Sequence, residues 1–130
     1  MTDYCGIDII EVERIKEAII TTSGFREKVF TKNEIEVGEK KGDFVKYQYY
    51  AGRFAAKEAV YKALSAVLGD KIWFGDIEIL NDKHLNNRPY VNIVKEELRE
   101  LQISGRLIID VSISHIKETA VASAVARFIE

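Results

Sequence analysis

The chain has 130 residues, 47% of them apolar and 31% charged, and a formal net charge of -2. That length suits one domain over residues 1–130, with enough apolar material for a core. The nearly balanced charge excludes a whole-molecule field built for nucleic acid, so an anionic partner has to be met by a local basic patch.

The single cysteine, Cys5, leaves no internal disulfide, and no Cys/His spacing suggests zinc. The first residues lack the basic segment and apolar run of a signal peptide. No apolar run approaches the roughly 20 residues of a membrane span. The expectation is a cytoplasmic protein with no membrane partner.

Tyr4–Ile10 reads as a strand with Cys5, Ile7 and Ile9 on one face. Val12, Ile15 and Ile19 follow at helical spacing, which predicts a helix to about Thr22. Thr31-Lys32-Asn33-Glu34 has the pattern of a capping box and starts a short helix. Lys40–Asp43, with Gly42, reads as a loop. From about Asp43, Phe44, Tyr47, Ala51, Phe54, Ala55, Ala59 and Ala63 recur every three or four residues. They predict a long core helix to about Leu68, stopped by Gly69.

Asp76–Leu80 alternates, with Ile77 and Ile79 on one side. Asn86–Pro89 is a turn signal, and Tyr90–Ile93 is a strand after it. Lys95–Leu101 reads as a short helix ending near Gly105. Leu107, Ile109, Val111 and Ile113 form one apolar face of a strand. Thr119–Phe128 reads as its antiparallel partner across a Ser114–Glu118 connection. The class is α+β, a mainly antiparallel sheet packed on one long helix.

Three features carry chemistry. Asp8 interrupts an apolar strand, where an unpaired carboxylate costs several kcal/mol to bury. It therefore meets a cation or donors, or it lies on the wet face of an edge strand. Glu58 and Lys62 are four apart and share a helix face with apolar neighbours. They are either a surface ion pair, contributing a few tenths of a kcal/mol, or the carboxylate and ammonium of a phosphate–metal site. His115 ends a strand at a turn, a frequent place for ligand contacts and equally for a solvated side chain. His84 reads as a surface residue. No Walker or dinucleotide glycine loop and no nucleophile elbow is present.

Taken in order, Gly6-Ile7-Asp8 with Glu13-Arg14-Ile15, Phe30–Glu34, Arg53-Phe54-Ala55-Ala56-Lys57-Glu58-Ala59 with Lys62-Ala63-Leu64, Asp76–Ile79, Pro89-Tyr90-Val91 and Ser112-Ile113-Ser114-His115 resemble one family. It is that of the holo-acyl-carrier-protein synthases, the small single-domain phosphopantetheinyl transferases. The likeness spans essentially the whole chain and is most specific over Arg53–Leu64.

The resemblance implies transfer of the 4'-phosphopantetheine arm of coenzyme A to a serine of an apo-acyl carrier protein. The products are holo-carrier and adenosine 3',5'-bisphosphate, and the reaction serves fatty-acid biosynthesis. It implies magnesium held by Asp8 and Glu58, with Glu58 and Lys62 in the catalytic machinery and Lys62 on the pyrophosphate. Arg53 and His115 join the coenzyme A site, and the family assembles as a homotrimer with active sites between subunits. Arg14 is expected to face acidic residues of the carrier, and Arg26, with Lys16 and Lys28, extends that patch.

Two departures stand out. Ser65-Ala66-Val67-Leu68-Gly69 replaces a frequent Gly-Thr-Gly, which predicts a longer helix. Asn87 replaces a turn glycine, and asparagine tolerates left-handed backbone. The competing readings are a small nucleotide hydrolase using the same carboxylates, a binding module without catalysis and, more narrowly, transfer to a carrier of secondary metabolism.

Overall fold

The computed structural model describes residues 2–130. The elements run β1 (Thr2–Glu11), α1 (Val12–Thr21), α2 (Phe25–Val29), α3 (Lys32–Glu39), α4 (Asp43–Leu68), β2 (Ile77–Asp82), β3 (Arg88–Ile93), α5 (Glu96–Ile103), β4 (Leu107–His115) and β5 (Thr119–Phe128). Short 3-10 turns at Phe74–Asp76 and Lys83–Leu85 flank β2. The α+β expectation holds, with one refinement. The strands form two antiparallel sheets, a three-stranded one in the order β1-β5-β4 and a β2-β3 hairpin.

Local chemistry explains most boundaries. Thr31 and Glu34 close a reciprocal capping box at the start of α3. Gly69, at φ 60°, ends α4 where a side chain would resist that backbone angle. The helix runs through Ser65–Leu68, as the missing Gly-Thr-Gly predicts. Asn86 and Asn87 both adopt left-handed angles, φ 54° and 59°, so asparagine does carry the turn. Residues 12–30 hold two helices, α1 and α2, so Arg26 and Lys28 stand on a separate element from Arg14 and Lys16.

The core is a helix-on-sheet contact between small residues. Ala55, Ala59 and Ala63 of α4 are fully buried against a sheet whose inward positions on β5 are Ala120, Ala122, Ala124 and Ala126. Ile77, Ile79, Val91 and Ile93 of the hairpin close the same core. A second cluster of Ile15, Val29, Phe30 and Tyr50 seats α1 and α2 on the first half of α4.

Strand β1 packs closest of all. A Cβ on Gly6 would lie 1.8 Å from the carbonyl oxygen of Ala59, so only glycine lets the strand lie directly on the helix backbone. Tyr4, Gly6, Asp8 and Ile10 face inward. Cys5, Ile7 and Ile9 do share a face, and it is the outer one. Ile7 is 65% exposed and Ile9 68%.

Candidate active site

The strand–helix contact at Gly6 decides what meets Asp8. Two residues on from Gly6, Asp8 is aligned with the turns of α4 that carry Glu58 and Lys62. The Lys62 ammonium donates to the Ile7 carbonyl at 2.9 Å and lies 3.5 Å from the Asp8 carboxylate. The Asp8 side chain is mostly buried, while that of Lys62 is half exposed. Burial pushes the Glu58 carboxyl above its ordinary value, the Asp8 charge pushes it further, and the Lys62 charge opposes both. Two carboxylates held close enough to disfavour each other, with one lysine beside them, form a site that gains from a cation. Asp8 thus faces α4 with the Lys62 ammonium beside it, and Lys62 turns to Asp8 with no direct ion pair to Glu58 among the described residues.

The donor set suits a hard divalent ion. Among the described residues no group of three or more acidic, histidine or cysteine side chains is placed to cage a metal. One or two protein carboxylates, completed by phosphate oxygens and water, are the usual supply for magnesium.

Arg53 and His115 lie elsewhere. The Arg53 guanidinium sits over the Tyr49 ring at 4.7 Å and donates to the Asn81 amide oxygen, and its Nε has no hydrogen-bond partner. It lines a cavity of about 150 Å³ with Lys41, Tyr49 and His115. It also lines one of about 530 Å³ with Asn81, Asn87 and Tyr90. Neither cavity includes Asp8, Glu58 or Lys62. Five residues on an α-helix turn about 140°, so Arg53 and Glu58 leave different faces of α4. One chain thus carries two separate groups, a carboxylate–lysine cluster and an arginine–histidine cavity.

Of the basic candidates, Arg14 is exposed on α1 and forms no ion pair among the described residues. Arg26 is engaged, 2.7 Å from Glu27 and 3.2 Å from Glu39. Lys16 lies over the Tyr47 ring, and Lys28 is exposed.

The sequence reading missed Lys57. Its ammonium is fully buried, 2.7 Å from an equally buried Glu34, and it donates to the carbonyls of Phe74 and Ile77. Glu34 also accepts the backbone N–H groups of Thr31 at 2.8 Å and Ile79 at 2.7 Å. Burial lowers the Lys57 pKa against the pull of Glu34. The available signal was spacing, because Lys57 shares its helix face with buried Val60 and Leu64. The pair ties α3, α4 and β2 together one residue before Glu58.

Comparison with known proteins gives the same direction. The model of the 4'-phosphopantetheinyl transferase superfamily matches residues 4–122. A holo-[acyl-carrier-protein] synthase of Ruminiclostridium cellulolyticum is 48% identical over 121 residues, covering 92% of this chain and 88% of its own. One from Alkaliphilus oremlandii is 44% identical, covering 93% and 95%. Among solved structures, a Bacillus anthracis holo-(acyl-carrier-protein) synthase in complex with CoA (3',5'-ADP) superposes with a TM-score of 0.76 at 36% identity, covering 95% of this chain and 94% of that one.

Proposed function

The chain belongs to the 4'-phosphopantetheinyl transferase superfamily, and from that we propose that it is a holo-[acyl-carrier-protein] synthase: it moves the phosphopantetheine arm of coenzyme A onto a serine of an apo-acyl carrier protein. The observation that carries this reading is the meeting of Asp8, Glu58 and Lys62 where β1 lies on α4. We assign the acceptor to fatty-acid synthesis and the enzyme to the cytoplasm. No helix among the described residues is long and apolar enough to cross a membrane.

Asp8 and Glu58 would hold magnesium, which when bound neutralises charge on the pyrophosphate and on the departing bisphosphate. Lys62 orients and neutralises a pyrophosphate oxygen. The carrier serine Oγ forms a bond to the phosphorus bearing the arm as the bond from that phosphorus to the bridging oxygen breaks. Adenosine 3',5'-bisphosphate leaves with the bridging oxygen. The serine proton goes to Glu58, directly or through a water. Positioning and charge stabilisation supply the rest of the acceleration.

The test is mass spectrometry of an apo-carrier after incubation with the protein, coenzyme A and magnesium. One added phosphopantetheine is expected. No addition to any of several carriers, with the protein folded, would overturn the reading.

Arg53 and His115 belong in this proposal as groups that a neighbouring subunit brings to the carboxylate cluster. Two observations support a homotrimer with sites between subunits. The two groups are separate within one chain, and the outer face of the three-stranded sheet leaves Ile7, Ile9, Ile108 and Val125 exposed beside the Asp3–Arg127 and Arg88–Asp110 ion pairs. Ile9→Asp should yield a folded monomer that no longer transfers the arm. A trimer of unchanged mass by light scattering would remove that face from the interface.

Arg14 is the basic contact for an acidic carrier. Arg26 has less charge to offer, since Glu27 and Glu39 already engage it. Raising salt should increase KM for the carrier and leave KM for coenzyme A nearly constant. Arg14→Ala should raise the carrier KM roughly two- to fivefold, as for a partly solvated ion pair. Initial rates at several salt concentrations check both expectations.

A further inference from the structure

We propose that the indole of Trp73 is an aromatic anchor for the carrier protein, a contact additional to the basic one on α1. The proposal rests on the carrier-modifying function above.

Trp73 precedes the turn Phe74–Asp76 and is fixed at both backbone groups. Its N–H donates to the Asp76 carboxylate at 2.9 Å, and its carbonyl accepts the Asp76 N–H at 2.9 Å. The indole stacks on Phe74, with ring centres 5.5 Å apart and planes 17° apart, yet it remains 56% exposed. Phe74 in turn meets Phe54 and Tyr61 edge-on, at 5.5 and 5.8 Å. Those two residues of α4 stand one turn before and one turn after Glu58. Phe54 stacks with Phe25 of α2 at 6.4 Å. The backbone of the turn abuts α2 as well, since a Cβ on Gly75 would lie 3.3 Å from the Lys28 carbonyl.

Trp73 is therefore the solvent-facing end of an aromatic run that brackets Glu58 and reaches α2. A carrier whose serine enters the Asp8–Glu58–Lys62 cluster has to cover the surface around it, and this run is part of that surface. The chain's largest apolar side chain is thus left open on that surface. Tryptophan is enriched among the few residues that dominate interface energies, and a pre-fixed ring loses little entropy on docking. Exposed Lys28 nearby complements an acidic partner.

The chain has one tryptophan, so its own fluorescence reports on this position. A tryptophan-free apo-carrier, added without coenzyme A, should shift the emission to the blue. Coenzyme A with magnesium should not. Trp73→Ala should raise the carrier KM roughly tenfold and leave KM for coenzyme A unchanged, and Trp73→Phe, which keeps a ring on Phe74, should restore most of the loss. A carrier KM within twofold of the parent in Trp73→Ala, or a shift produced by coenzyme A alone, would overturn the proposal. In either case transfer by the unsubstituted protein still stands as the test of the function itself.

Discussion

Glu58→Gln should lower kcat by roughly two to four orders of magnitude, the range for removing a positioned acid–base group. The substitution keeps the size of the side chain and leaves Asp8 and Lys62 in place, so loss of fold is not its expected effect. Asp8→Asn should behave differently. It removes a cation ligand without removing the proton acceptor, so excess magnesium should restore part of its rate. Glu58→Gln should stay slow at any magnesium concentration, because it loses both roles. Near-normal turnover by Glu58→Gln at saturating magnesium would take the base assignment away from Glu58.

The same residue should set the acid limb of the pH profile. Burial and the Asp8 charge raise the Glu58 pKa above 4.5. As pH falls, Glu58 takes up a proton earlier than an unperturbed glutamate, and cation affinity and base are lost together. At limiting magnesium the rate should therefore fall on the acid side at a higher pH than an unperturbed glutamate would give. More magnesium should move that limb to lower pH, because cation and proton compete for one carboxylate. In Glu58→Gln the magnesium-dependent movement should shrink to what Asp8 alone provides.

Lys57→Met should destabilise the protein by about 3–5 kcal/mol, the cost of leaving one member of a buried ion pair uncompensated. Here the stranded group is Glu34, fully buried and committed to the N–H groups of Thr31 and Ile79. Adding Glu34→Gln should recover part of the loss, because an amide is cheaper to bury than an unpaired carboxylate. The recovery should be incomplete, since one amide oxygen replaces two carboxylate oxygens that now accept separate N–H groups. Urea unfolding at fixed protein concentration measures both variants. A loss below 1 kcal/mol for Lys57→Met would mean that Glu34 finds a proton or water once the lysine is gone.

What was legible in the sequence follows from how far each interaction reaches along the chain. Glu58 and Lys62 were readable because four residues make one helix turn. Asp8 was readable because a carboxylate in an apolar strand calls for an explanation. The caps at Thr31 and Gly69 and the Asn86–Asn87 turn depend on a few adjacent residues and were equally plain. The family likeness then joined Asp8 to Glu58, fifty residues apart, and the structure places both at Lys62.

Other features depend on which face turns inward. The alternation of Cys5, Ile7 and Ile9 was visible, but nothing in it says that glycine and aspartate, not isoleucine, face the core. Arg53 and Glu58 look like one motif in a line of text and separate once wound on a helix. Lys57 and Glu34 required the tertiary fold, since their residues stand 23 apart on different helices. The division of the strands into two sheets was likewise a matter of long-range pairing.

Strand β1 has a consequence of its own. Its inward residues bring the carboxylate, and its outward isoleucines, Ile7 and Ile9, supply part of the face assigned to assembly. Because strand side chains alternate with a period of two, a slip of one residue against β5 would exchange these roles. Ile7 would be driven onto Ala59, and Asp8 would be stranded among the apolar outer residues. The proposed catalysis and the proposed association thus rest on even and odd positions of one register in the same ten residues. An insertion or deletion of a single residue in β1 would erase both together, whereas a point change on either face can damage one and spare the other.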